Sequence, residues 1–445
     1  MSRPTRPTNV RWTVFALCGT TSWLLYLHRY SFALIKPELV REWGVGATEL
    51  GLLDSAFSTS YMIFQFPTGV LADLTGARLV LTVLVLIWSV AIALHAWAPG
   101  MFGLWWARSL LGLGQSGVFA TLSRMTRVWF PTSVRATVQG FVGVFAARTG
   151  GLSAYLLIGY LMVGLFDMKW RSAIYLWAVV GLLHALALLL LYRNSPRHHP
   201  WVNESEADLI EGGTKPEGDL ASSSPVPRRS LWSALRSMTP RSAINLLALN
   251  LQTTLSTVAD NVFSNWIPLF LFQVHGLKFK EMGIYSALPL LGGALGGALG
   301  GWLNDAILSR TGNRRWSRSG VAATGKGLAA VGLAVAVVTT YDNPYAFCWM
   351  LFLVKFVGDW SLSTMWATVT DIGGPATASV FAWNNTVASI GAILAPAMYG
   401  LVAEHYNWQT VFFIASVTYG LCALSWLAVN CTIPLVPERP KGDSP

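Results

Sequence analysis

The chain has 445 residues, 53% of them hydrophobic and only 12% charged, with 21 Trp and a formal net charge of +10. Apolar stretches of membrane-spanning length recur from one end to the other. This excludes an ordinary soluble domain and predicts a polytopic all-α membrane protein, because lipid offers a spanning backbone no hydrogen-bond partner.

Twelve spans are expected, at about residues 11–35, 47–72, 79–98, 101–127, 134–164, 170–192, 243–273, 282–308, 317–340, 344–371, 375–403 and 408–432. Six precede a long polar connection and six follow it. The expected organisation is an N-terminal half over 1–192, a cytoplasmic connecting loop over 193–242 containing Ser222-Ser223-Ser224-Pro225, and a C-terminal half with a short tail over 243–445. Lys and Arg fall in short inter-helix segments rather than in one patch, which argues for topology and against nucleic acid. Arg3, Arg6 and Arg11 precede the first span, Arg124, Arg127 and Arg135 mark the turn between the fourth and fifth, and Arg310, Arg314, Arg315 and Arg318 that between the eighth and ninth. With Arg439 and Lys441 in the tail, the positive-inside rule puts both termini in the cytoplasm of a multi-pass plasma-membrane protein. No cleavable signal peptide is expected, since the first apolar segment is too long for one. Cys18, Cys348, Cys422 and Cys431 lack metal-ligand spacing and are expected to pack. No disulfide, metal, cofactor or nucleotide signature appears, and no nucleophile–base pair suggests an enzyme.

Arg29 sits deep in the first span, where a charge marks a functional site by default. Its planar, permanently charged fork suits carboxylate or phosphate. Ser22, Tyr26, Arg29 and Ala33 fall at helical spacing and predict one polar stripe. Arg108, Gly112 and Gln115 share a face of the fourth span, and Arg148, Gly151 and Tyr155 a face of the fifth. The expected substrate-binding set is Tyr26, Arg29, Gln115, Arg148 and Tyr155, joined by Asn385 and Ser389 of the eleventh span. Arg108 is left open between a ligand and a structural charge. In the second half Thr253, Thr257, Asp260 and Ser264 follow one another along the seventh span, and Lys355 and Asp359 stand four apart as an expected intrahelical ion pair. Asp260 is a lone carboxylate in an apolar helix and is expected to carry a proton, the alternative being a salt bridge to Arg148 or Arg29.

The halves echo each other. Gly51, Gly69, Leu71 and Asp73 have the spacings of Gly283, Gly301, Leu303 and Asp305, and Trp170-Arg171 opens the sixth span as Trp408-Gln409 opens the twelfth. This predicts an internal duplication of the kind transporters use. The series Gly292, Gly293, Gly296, Gly297, Gly300 and Gly301 predicts close helix packing.

The run Gly69-Val70-Leu71-Ala72-Asp73-Leu74-Thr75-Gly76-Ala77-Arg78 resembles the loop motif of the major facilitator superfamily, with Leu74 where that pattern has a basic residue. The resemblance implies a fold of two pseudo-symmetric six-helix halves, with Asp73, Arg78 and, at the repeat position, Asp305 as cytoplasmic gating residues. A narrower resemblance, to the anion:cation symporters that include hexuronate, galactonate and glucarate transporters and vesicular glutamate carriers, spans nearly the whole chain. It is carried by Tyr26-Leu27-His28-Arg29, by the string Arg193-Asn194-Ser195-Pro196 through His199-Pro200 to Glu206, by Trp266-Ile267-Pro268, and by Trp366-Ala367 through Asp371 to Gly373-Gly374. It implies a monomeric secondary transporter of a small organic anion, a sugar-acid-like carboxylate, working by alternating access with proton symport. The chain departs from that pattern at His28 and Gln115, where proton-coupled members carry Asp and Glu, and at Ser389, where the pattern has Asn. Coupling is therefore expected to fall to Asp260, to Asp359, or to His28 if a cavity reaches it. An anion exchanger or uniporter resembling the organophosphate:phosphate antiporters, and a ligand sensor that does not transport, are the alternatives.

Overall fold

The structure is a computed structural model that describes residues 6–211, 238–373 and 377–435. Arg3, Ser222 to Pro225, Gly374, Arg439 and Lys441 lie outside the described residues, which are helical with no strand among them. Helices occupy all twelve expected ranges. In the first half these are α1 (Val10–Trp43), α2 (Ala47–Thr75), α3 (Ala77–Trp97), α4 (Met101–Ser116, continued past Gly117 by Val118–Trp129), α5 and α6 (Trp170–Leu191). Helix α5 runs from Thr132–Gly140 through Ala146–Ser153, with wider π-helical turns at Phe141–Phe145 and Ala154–Leu165. The second half contains α7 (Pro240–Asn265, continued by Ile267–His275), α8 (Phe279–Thr311), α9 (the π-helical Trp316–Gly320 and then Val321–Thr339), α10 (Pro344–Gly358 and Trp360–Gly373), α11 (Thr377–His405) and α12 (Trp408–Ala428). Eight columns are long and apolar enough to cross a membrane on composition alone; α1, α2, α4 and α7, among them the helices bearing Arg29, Gln115 and Asp260, are not.

Local chemistry sets the ends. α1 runs two turns beyond its expected limit and stops where Gly44 adopts φ 64° and returns its N–H to the Val40 carbonyl. That left-handed closing position favours glycine. Asn343 opens α10 by accepting hydrogen bonds from the N–H groups of Tyr345 and Ala346, and Asn407 opens α12 by accepting one from Thr410.

The described residues form two compact units, the first of 6–44, 56–211 and 278–284, the second of 45–55, 238–277, 285–373 and 377–435. The starts of α2 and α8 thus group apart from the rest of their helices. Backbone contact explains this: a Cβ on Gly51 would meet the Pro396 carbonyl, one on Gly400 the Ala47 carbonyl, and one on Gly283 the Tyr160 amide. Within the second unit, Gly292, Gly296 and Gly300 of α8 lie on the backbone of Phe352, Phe356 and Trp360 of α10, as the glycine series predicts. An apolar core there joins Leu249, Ala322, Val369, Val380, Cys422 and Trp426.

The repeat also has a geometric counterpart. The Trp170 indole donates to Glu42 near the end of α1, and the Trp408 indole donates to Gln273 near the end of α7, at 3.0 and 3.1 Å.

Candidate functional site

In the first unit the sequence stripe on α1 resolves into an aromatic box around one guanidinium. Arg29 donates from Nε to Gln115 Oε1 at 3.0 Å, and Gln115 is itself held by donating to the Leu25 carbonyl at 3.1 Å. The Arg29 guanidinium carbon lies 5.1, 4.9 and 5.1 Å from the ring centres of Tyr26, Phe57 and Tyr61. These rings replace water with π faces that attract the cation weakly. No carboxylate pairs with Arg29 among the described residues, and its Nη2 is buried with no hydrogen-bond partner among them. A guanidinium in this state has an unused donor, a built-in demand for an anionic oxygen.

Neighbouring residues complete the surroundings. Tyr30 packs edge-on against the fully buried Tyr155 of α5, with ring centres 6.0 Å apart. Arg148 is half-buried about two turns before Tyr155. Helix α5 sits on α1 because Gly150 leaves room for the Trp23 carbonyl, and the Trp23 indole donates to Ser153. Arg108 is buried against the rings of Phe32 and Phe57, the latter shared with Arg29. Of the α1 stripe, Tyr26 and Arg29 are partly accessible, whereas Ser22 and Ala33 are packed away.

His28 does not meet the condition set for it. It is fully buried, with Nε2 at 3.0 Å from the Trp177 carbonyl and its ring edge against Gly181 of α6, on a different face of α1 from the Arg29 box. One residue along a helix turns the side chain by about 100°, which is why adjacent residues 28 and 29 part company.

The second unit holds a cluster the sequence reading found only in part. Lys355 donates to Asp260 Oδ1 at 2.5 Å and to Asp359 Oδ1 at 2.6 Å, so the expected pair on α10 exists but is shared. Tyr419 of α12 donates to the same Asp260 oxygen at 2.6 Å, Ser256 to Oδ2 at 3.2 Å, and Lys326 of α9 lies 3.6 Å from Oδ2 and 4.8 Å above the Tyr419 ring. Asp260 is therefore not the lone carboxylate expected from its helix, and its partners are two lysines of its own unit rather than Arg148 or Arg29. Gly293 of α8 makes the room that Asp359 occupies, and α10 breaks its regular turn at Asp359. Asn385 is half-buried and its carbonyl accepts from Ser389, while the adjacent Asn384 is buried and bonds to Thr253. Lys326 was legible as a lone charge between Gly325 and Gly327 in an apolar helix, the same signal that singled out Arg29. Tyr419, Phe57 and Tyr61 had no such mark.

The loop residues take clear positions. Asp73 pairs with Arg124 at 2.9 Å, not with Arg78. Arg78 binds the Leu189 carbonyl, and its amide donates to Asn194, whose side chain fills the space beside Gly76 at φ 91°. Asp305 is exposed and makes no ion pair among the described residues; in that half Asp371 instead faces Arg314 and Arg318 at 3.2 and 3.5 Å. The string after α6 also docks by chemistry: His199 packs on Trp129, and the fully buried Glu206 accepts from Thr8, Val10 and Arg11 at the start of α1.

An open groove of about 260 Å³ between α1 and α5, lined by Phe15, Gly19, Trp23, Phe141 and Thr149, contains none of these charged residues. Among the described residues no group of His, Cys, Asp and Glu could hold a metal ion.

Comparison with known proteins agrees with this architecture. The sequence pattern of the Major Facilitator Superfamily matches residues 18–396 and 306–445. The chain is 28% identical over 92% of its length to a probable sulfoacetate transporter of Cupriavidus necator, covering 91% of that protein, and 27% identical over 94% to a hexuronate transporter of Bacillus subtilis, covering 93%. Among solved structures, a bacterial homolog of the human lysosomal transporter Spinster in an inward-facing, unoccupied conformation aligns with TM-score 0.75 at 18% identity, over 94% of this chain and 98% of that one.

Proposed function

The chain belongs to the Major Facilitator Superfamily, and from that premise we propose that it is a secondary transporter of a small organic anion, a sugar-acid-like carboxylate or a sulfonate, in a bacterial inner membrane with both termini cytoplasmic. One observation carries the choice of an anion: Arg29 is a half-buried guanidinium without a carboxylate partner among the described residues, oriented by Gln115 and walled by aromatic rings. Relatives named for hexuronate, D-galactonate and sulfoacetate support the substrate class. On this reading Arg29 grips an anionic group of the substrate, with Tyr26 and Gln115 completing the contact and Arg148 and Tyr155 as further polar contacts in the first unit, while Asn385 and Ser389 are substrate contacts proposed in the second. Asp73 and Arg78 brace the cytoplasmic turn between α2 and α3.

We also propose proton symport. Gln115 exchanges no proton and His28 is walled off, so the coupling carboxylate is Asp260, assisted by Asp359. A thermal-shift screen of the purified protein against glucuronate, galactonate and sulfoacetate tests the substrate class, because a ligand that binds only the folded state raises the melting temperature with its concentration. Uptake into proteoliposomes under an imposed pH gradient tests the coupling. Uptake or exchange that does not respond to the gradient selects the exchanger or uniporter alternative, and binding without flux selects the sensor.

A further inference from the structure

In the second unit, Asp260 covers two lysines. Its side chain keeps 30% of its surface accessible, while those of Lys326, Lys355 and Asp359 keep 1, 3 and 3%. An accessible carboxylate facing lipid would be very costly, so the open side of Asp260 faces water or substrate. The donors around it form what an anion requires: the Lys355 ammonium, the Tyr419 hydroxyl and the Ser256 hydroxyl within hydrogen-bond reach, and the Lys326 ammonium just beyond. On the buried side, Tyr399 of α11 is fully enclosed, and its hydroxyl has no hydrogen-bond partner among the described residues.

We propose that Lys326, Lys355 and Tyr419 are an anion site that Asp260 occupies as a built-in stand-in, so that a proton on Asp260 and a carboxylate or sulfonate group on the lysines enter together or not at all. This rests on the transport reading above and deepens it, since it says how the proton and the anion are linked.

Charge balance is the reason. Two lysines face two aspartates, so the buried cluster is neutral with both carboxylates ionised. A bare anion would leave it at −1 and a bare proton at +1, and an unbalanced charge in a low-dielectric interior costs several kcal/mol or more. Proton and monovalent anionic group together restore zero. Every element packed around Asp260 bears on this: Lys326 from α9, Lys355 and Asp359 from α10, Tyr399 from α11, Tyr419 and Cys422 from α12, and Ser256 on its own helix. Of the ionisable groups in that circle, Asp260 is the carboxylate with an open side.

The test is isothermal calorimetry on the intact detergent-solubilised protein with sulfoacetate and glucuronate, in two buffers of different ionisation enthalpy, across pH. Wild type should take up one proton per anion, and above the titration of Asp260 its affinity should fall about tenfold per pH unit, as one-proton linkage demands. Asp260→Asn fixes the cluster at +1; it should bind with zero proton uptake and a flat pH profile. Lys355→Gln should lose both affinity and proton uptake, and Tyr419→Phe should weaken binding while keeping the one-proton stoichiometry. Size-exclusion profiles and melting curves identify any variant that fails to fold, and the pH profile of wild type then decides alone. Binding by wild type without proton uptake overturns the proposal and leaves an anion transporter standing. If neither anion binds wild type, the transport reading falls, and this proposal with it.

Discussion

Arg29→Ala should remove most of the substrate affinity and almost none of the stability. The free-protein side of that balance is small. The substitution breaks one hydrogen bond to Gln115, which keeps its bond to Leu25, and three cation–π contacts at about 5 Å, each on the order of 0.5–1 kcal/mol. Against this, it removes a buried Nη2 that has no partner, relieving about 1–3 kcal/mol. The terms offset, and the melting temperature should stay near wild type. The complex side is large, because truncating one partner of a buried, hydrogen-bonded charge pair costs about 2–5 kcal/mol, or roughly 30-fold to more than 1,000-fold in Kd. Arg29→Lys keeps the charge but loses the fork and the planar stacking on Phe57 and Tyr61, so its Kd should fall between the two, about tenfold weaker than wild type. The assay is titration calorimetry with the best ligand from the carboxylate and sulfonate screen, alongside melting curves without ligand. Wild-type affinity in a folded Arg29→Ala protein would refute the anion box. A large drop in the ligand-free melting temperature would show instead that the guanidinium is structural.

Three further outcomes follow from named contacts. His28→Ala should retain uptake driven by a pH gradient while melting at a lower temperature, since the ring is packed against Trp177 and Gly181; loss of gradient response with a normal melt would return the coupling role to the histidine. Glu206→Ala removes the carboxylate that accepts from Thr8, Val10 and Arg11, and should cost about 2–3 kcal/mol, read as a fall in melting temperature that Glu206→Gln recovers in part. Gly150→Ala puts a methyl group on the Trp23 carbonyl and should forfeit folding yield or about 1–3 kcal/mol of stability, whereas Gly140→Ala, where a Cβ meets nothing, should be tolerated.

The sequence alone determined the membrane class, the helix ranges, the internal repeat and the family, because each is written in one-dimensional patterns. Lipid demands a long apolar run for every crossing, and a duplicated half leaves its spacings in place, as Gly51 to Asp73 and Gly283 to Asp305 show. Single buried charges were legible too: Arg29, Asp260 and Lys355 stand out against apolar neighbours, and Lys326 would have by the same test. Only tertiary structure decided what each charge meets. His28 and Arg29 are adjacent in the chain yet face different neighbours around α1, and Asp260, with no cation on its own helix within a turn, receives its lysines from α9 and α10 and its hydroxyl from Tyr419 of α12. Helix spacing reports which residues share a face; it carries no information about what another helix brings to that face. That choice is made by packing, through glycines such as Gly150 and Gly293 that let backbones and side chains approach closely enough for the charges to meet.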